Sequence, residues 1–155
     1  MITRKSTDQG ANWTLVDDFI LQAGENNQGK SITGTPNGNI FVVGYSENSG
    51  WYVRKSTDQG ASWNNVDVFG SGLYARPNSI HAINNDVLLV AGLADQKWIV
   101  RRSTDGGATW STVDFFNGIG FGGQAYSIAT DSLGRIYIGG YETNGLNGDQ
   151  WAQWL

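Results

Sequence analysis

The sequence predicts an all-β fold built from repeated four-stranded antiparallel units, and three observations carry that prediction. An octapeptide recurs, as "STDQGANW" from Ser6, "STDQGASW" from Ser56 and "STDGGATW" from Ser103. The composition holds 22 glycines and seven tryptophans against only 15% charged residues, which suits short strands and tight turns and leaves little material for helices. The repetition also spreads beyond the octapeptide over most of the 155 residues, and a period of roughly fifty residues is that of a repeat architecture. A chain of this length forms one domain that buries roughly 68–70% of its unfolded surface.

The elements follow in chain order. "MITRKSTDQGANWTLVDDF", "WYVRKSTDQGASWNNVDVF" and "WIVRRSTDGGATWSTVDFF" superpose, which makes Trp13, Trp63 and Trp110 equivalent and likewise Asp17, Asp67 and Asp114. Each copy reads as two β-prone runs around the octapeptide, a pair of strands C and D. A second block, "KSITGTPNGNIFVVGY", "NSIHAINNDVLLVAGL" and "YSIATDSLGRIYIGGY", supplies strands A and B around a short turn and repeats Ser31, Ser79 and Ser127, then Gly44, Gly92 and Gly140. The chain therefore divides into a C–D hairpin at 1–19, full units at 20–69 and 70–116, and an A–B pair with a partial C strand at 117–155. Four antiparallel strands per unit at this period predict the blades of a β-propeller.

The octapeptide resembles the Asp-box, S-x-D-x-G-x-x-W, of sialidases and of many bacterial β-propellers. In that family the box is the hairpin joining the third and fourth strands of a blade, which agrees with the C–D position. Its residue types have a structural logic. Asp8, Asp58 and Asp105 are expected to accept backbone N–H groups one to three residues ahead and so close a turn. Gly10, Gly60 and Gly107 can adopt positive φ, and Trp13, Trp63 and Trp110 can cover the hairpin. With Ser6, Ser56 and Ser103 they form a set of structural staples. A carboxylate committed to capping backbone donors is poorly suited to moving protons, and one carboxylate per turn is too few for calcium, so no metal or other cofactor is expected.

Three blades are fewer than the four to eight of closed propellers. The repair expected from the sequence is a homodimer in which two chains join head to tail into one six-bladed ring, the A–B pair of one completing the C–D pair of the other. "WAQWL" aligns with "WYVRK" in the C-strand slot that "MITRK" also claims.

Connections in an antiparallel meander alternate between its two ends, so the A–B and C–D turns share one face and the B–C and D–A loops the other. The second face varies between units, as a binding face on a rigid scaffold does. Its candidates are Tyr74, Phe121 and Tyr126, with Arg76, Asn26, Asn27, Gln28, Asn78 and Gln124 nearby. Flat apolar rings beside planar hydrogen-bonding groups are the chemistry of sugar recognition.

The sialidase resemblance implies three arginines around a carboxylate, a tyrosine nucleophile backed by glutamate, and an aspartate acid/base. Arg4, Arg54, Arg101 and Arg102 lie instead in strand C beside the boxes, Arg135 lies in an A–B turn, and only Arg76 belongs to the variable face. Glu25, Glu47 and Glu142 are the only glutamates. The reading is therefore a non-catalytic, carbohydrate-binding module; a degenerate sialidase-type hydrolase and a structural segment of a larger surface protein are the alternatives.

The chain has no cysteine, and the single His81, in strand A, cannot build a multi-histidine metal site. A net charge of −4 without a basic run argues against nucleic acid, and the absence of an apolar run of about 20 residues argues against a membrane-inserted helix. No compartment is legible.

Overall fold

The computed structural model describes residues 1–72, 74–116 and 122–143. Among them there are twelve strands, β1 to β12, and no helix. Strands β1 (Ile2–Lys5) and β2 (Thr14–Asp18) form a hairpin. Strands β3 (Asn27–Gly34), β4 (Ile40–Ser46), β5 (Gly50–Ser56) and β6 (Asn64–Phe69) form a four-stranded antiparallel sheet in chain order. Strands β7 (Ala75–Ala82), β8 (Leu88–Ala94), β9 (Lys97–Ser103) and β10 (Ser111–Phe116) repeat that sheet, and β11 (Gly122–Thr130) pairs with β12 (Ile136–Thr143). These four groups of strands span 2–18, 27–69, 75–116 and 122–143. The partial C strand expected over 151–155 lies outside the described residues.

Burial explains why the apolar runs sit where they do. Strands β4 and β8, "IFVVGYS" and "LLVAGLA", are apolar on both sides and almost wholly buried, because the units stack face to face and cover both surfaces of their middle strands. Strand β7 packs against β3 and β4, and β11 against β7, β8 and β9. The first strands of successive units therefore stand side by side. Their polar groups join them: Ser31 Oγ accepts from Ile80 N–H (3.3 Å), Asn78 Nδ2 donates to the Ala125 carbonyl (2.7 Å), and His81 Nε2 lies 3.1 Å from Thr130 Oγ1. His81 is thus a half-buried link between neighbouring strands. One core gathers Phe41, Val53, Ile80, Leu88 and Ile99 between the two four-stranded sheets, and a second gathers Leu89, Val100 and Ile128.

Two bulges per unit give meaning to repeated residues whose role the sequence left open. Register shifts between Gly29 and Ser31, between Pro77 and Ser79, and between Ala125 and Ser127 insert one extra residue into the first strand. Opposite each bulge lies Gly44, Gly92 or Gly140, where the backbones come so close that a Cβ on Gly92 would sit 2.2 Å from the Arg76 carbonyl oxygen. Only glycine fits there. The second bulge leaves out Val16, Val66 and Val113 on the outer strands.

Candidate functional site

The three octapeptides fold into one repeated bonding pattern. Ser6, Ser56 and Ser103 donate to Oδ1 of Asp8, Asp58 and Asp105 at 2.7, 2.8 and 2.8 Å. Each serine oxygen also accepts from the glycine N–H four residues on, at 2.8 Å in all three. Each aspartate Oδ1 accepts the backbone N–H of Asn12, Ser62 or Thr109 at 2.8–2.9 Å, and Oδ2 accepts that residue's side chain at 2.6–2.7 Å. The main cap lies one residue beyond the expected range, with Ala61 and Ala108 N–H adding weaker support to Asp58 and Asp105. The aspartate accepts four residues ahead, because serine takes the nearer glycine N–H and frees the carboxylate to span the whole turn.

Backbone conformation completes the box. Gly10, Gly60 and Gly107 have φ of 93°, 89° and 84°, as the turn demands. The residue before each is also left-handed, with Gln9 at 59°, Gln59 at 60° and Gly106 at 66°. Trp13, Trp63 and Trp110 fold back, and each indole N–H donates to the carbonyl of its box glycine at 3.0–3.2 Å. The hydrogen bonds stabilise the carboxylate form and hold all three aspartates at a pKa of about 2. The dominant donors are the Asn12 backbone and side chain for Asp8, and the hydroxyl and N–H of Ser62 and of Thr109 for Asp58 and Asp105. Such groups stay ionised and fully engaged at neutral pH.

Between units the structure reveals a second repeated device. Arg54 grips Asp17 of the preceding hairpin through Nε (2.8 Å) and Nη2 (2.9 Å), lies 3.8 Å from the Phe19 ring centre, and also donates to the Trp63 carbonyl. Arg101 repeats this on Asp67 at 2.9 and 2.9 Å, over Phe69 at 4.4 Å, and on the Trp110 carbonyl. Both pairs are nearly buried. Lys5 likewise donates to the Gln59 carbonyl (2.9 Å) and Lys55 to the Gly106 carbonyl (2.7 Å), which ties each box to the next. The strand-C arginines therefore hold units together. The signal was present in the sequence, as Arg4, Arg54 and Arg101 recur in step with Asp17, Asp67 and Asp114.

At the opposite end the described parts of the variable loops meet one another. Gly72 N–H donates to the Asn48 carbonyl and Asp95 N–H to the Tyr74 carbonyl, each joining a D–A loop to a B–C loop, and Gly123 N–H, at the start of β11, donates to the Gln96 carbonyl. There the Arg76 guanidinium lies 4.0 Å from the ring centre of half-exposed Tyr74 and 4.6 Å from that of buried Tyr45. Exposed Tyr126 stands 5.6 Å from Tyr141 at a tilt of 35°. Phe121 lies outside the described residues.

The planar amides divide differently from the expectation. Asn26 bonds Glu47 (3.0 Å), and Asn27 is spent within its own loop on Leu21 N–H and the Glu25 carbonyl. Asn78 bonds the Ala125 carbonyl, while Gln28 and Gln124 lie in β3 and β11 opposite Tyr45 and Tyr141. Among the described residues no hydrogen bond joins any of them to the Tyr74–Arg76 stack. Glu25 accepts Ser46 Oγ and Asn48 N–H, and the Ser46 bond holds its carboxyl below the usual range. Glu142 Oε1 is buried without a hydrogen-bond partner among the described residues.

The described chain is thus an all-β protein of four-stranded antiparallel units carrying serine- and aspartate-capped hairpins on one end and variable loops on the other. Residues 101–112, which include most of the third hairpin, match the BNR/Asp-box repeat, and the hairpins at Ser6 and Ser56 make the same bonds. The chain carries Asp-box repeats. No curated protein matches it.

Proposed function

We propose that the chain is a non-catalytic β-propeller module that binds carbohydrate through the D–A and B–C loop face, with Tyr74 and Arg76 as its platform. The propeller reading is supported by the packing of β7 against β3 and of β11 against β7, the contacts expected where the first strands of successive units line a common axis. The observation that carries the ligand class is the stack of Tyr45, Arg76 and Tyr74 at the variable end. An arginine held between rings keeps its in-plane N–H donors for hydroxyl or carboxylate oxygens, and a half-exposed tyrosine ring offers a flat surface to the apolar side of a pyranose. The non-catalytic reading is supported by the boxes, whose carboxylates are spent on backbone and side-chain donors, and by Arg54 and Arg101, which are spent between units.

A glycan array of neutral and acidic sugars, run beside a fluorogenic sialoside assay, tests this. The expected result is binding to a defined glycan set without turnover, with Tyr74→Ala and Arg76→Ala each weakening binding by roughly tenfold or more and leaving the thermal midpoint nearly unchanged. An array with no bound glycan contradicts the ligand class, and turnover of the sialoside contradicts the non-catalytic reading.

A further inference from the structure

The contacts between successive units recur a third time as open halves at opposite ends of the described chain. At one end, Arg4 donates to the Trp13 carbonyl (2.8 Å), as Arg54 and Arg101 do to Trp63 and Trp110, yet it has no carboxylate partner among the described residues. At the other end, Asp114 and Phe116 occupy the positions of Asp17 and Phe19 and of Asp67 and Phe69, yet both are exposed and meet no guanidinium among the described residues. The box latch behaves alike. Arg102 stands where Lys5 and Lys55 reach the next box, and it is exposed.

The apolar surfaces are open halves too. Phe41 is 0% exposed; a Cβ on Gly107 would lie 2.5 Å from its ring, and it packs with Val53, Ile80, Leu88 and Trp110. Tyr137 holds the equivalent position in β12 and is 52% exposed. The hole that would receive it also exists. A cavity of about 230 Å³ is lined by Thr3, Ile32, Ile40, Gly60 and Trp63, one repeat before Val53, Ile80, Leu88, Gly107 and Trp110 that surround Phe41. Its floor residue Ile32 is 56% exposed, against 4% for Ile80. In addition, β1 and β12 each keep one unpaired edge among the described residues, and in the full units those two positions are hydrogen-bonded neighbours.

We infer that a second copy of this chain docks head to tail on the first, with Tyr137 of one copy filling the cavity at Ile32, Ile40 and Trp63 of the other, and Arg4 of that other copy pairing with Asp114 over Phe116. Knob, hole, acid and base all belong to one interface, since in the full units the same four elements meet between consecutive sheets. Two copies related by a twofold axis form the interface twice and close a ring of six units, within the range of closed propellers. The surfaces fit a second copy better than an unrelated partner because each half is the repeat of a partner already paired within the chain. The inference stands apart from the carbohydrate reading, which concerns the loop end.

Light scattering of the intact chain decides it. The expected mass is a discrete dimer, twice the 16.8 kDa of the chain. Arg4→Asp and Asp114→Arg should each raise the dimer dissociation constant by roughly tenfold or more, and the two together in one chain should restore it, because the charges exchange across the same interface. Tyr137→Ala, at a position exposed in the single chain, should weaken the dimer with an unchanged circular dichroism spectrum. A folded monomer of the intact chain, a mass that climbs without limit, or charge variants that leave the dimer unaltered would each overturn the inference.

Discussion

Asp67→Ala is expected to lower the unfolding free energy by about 3–5 kcal/mol, the loss that follows when one member of a buried ion pair is removed and the other stays behind. Asp67 accepts two bonds of 2.9 Å from Arg101, whose guanidinium is otherwise held by Thr112, the Trp110 carbonyl and the Phe69 ring. Without the carboxylate that cation remains nearly buried and uncompensated. The double variant Asp67→Leu with Arg101→Leu should cost less than Asp67→Ala alone, since no charge is then stranded. Urea unfolding of the two variants beside the parent chain checks both statements. An Asp67→Ala loss below about 1 kcal/mol, the worth of a surface pair, would show that the pair does not join the units.

The second large effect belongs to Phe41. Its ring is fully buried at the junction of the two four-stranded sheets, against the box glycine Gly107. Phe41→Ala should cost about 3–5 kcal/mol through lost apolar burial and the cavity left behind. Phe41→Leu should cost less, because Leu89 fills the same position one unit later while remaining buried. Equal losses for the two variants, measured by the same unfolding, would mean that the site collapses around the gap or that Phe41 carries little of the junction.

Legibility in the sequence followed the repeats. Strand count, strand order and the end occupied by each box could be read because apolar runs and turn residues recurred in step three times, and each recurrence fixed the others. The direction of the hydrogen bonds inside a box could not, since Ser6 and Asp8 are both competent caps and only the folded turn decides which N–H each receives. Asp17 and Arg54 were visible as repeated positions but not as partners: they are 37 residues apart and belong to different units. The glycines opposite the bulges were equally visible and equally unexplained, because backbone approach leaves no mark beyond the glycine itself. The loop end was least legible. Its residues do not repeat, and whether Asn26, Asn27 or Asn78 is free to bind depends on neighbours such as Glu47, Leu21 and Ala125 that only the fold supplies.

That the Asp-boxes are architecture, and not acid/base chemistry, is the claim on which the functional reading turns, and a carboxyl ¹³C NMR titration of Asp8, Asp58 and Asp105 tests it most directly. Their folded-state pKa values are depressed from 3.8 to about 2. Their contribution to stability is therefore fully present above the unfolded value and is lost as pH falls from about 4 toward about 2. All three should titrate together near 2, with the thermal midpoint falling over the same interval and Asp58→Asn flattening part of that fall. A box carboxyl that instead titrates above about pH 5, in the range of general acids working near neutral pH, would contradict the account.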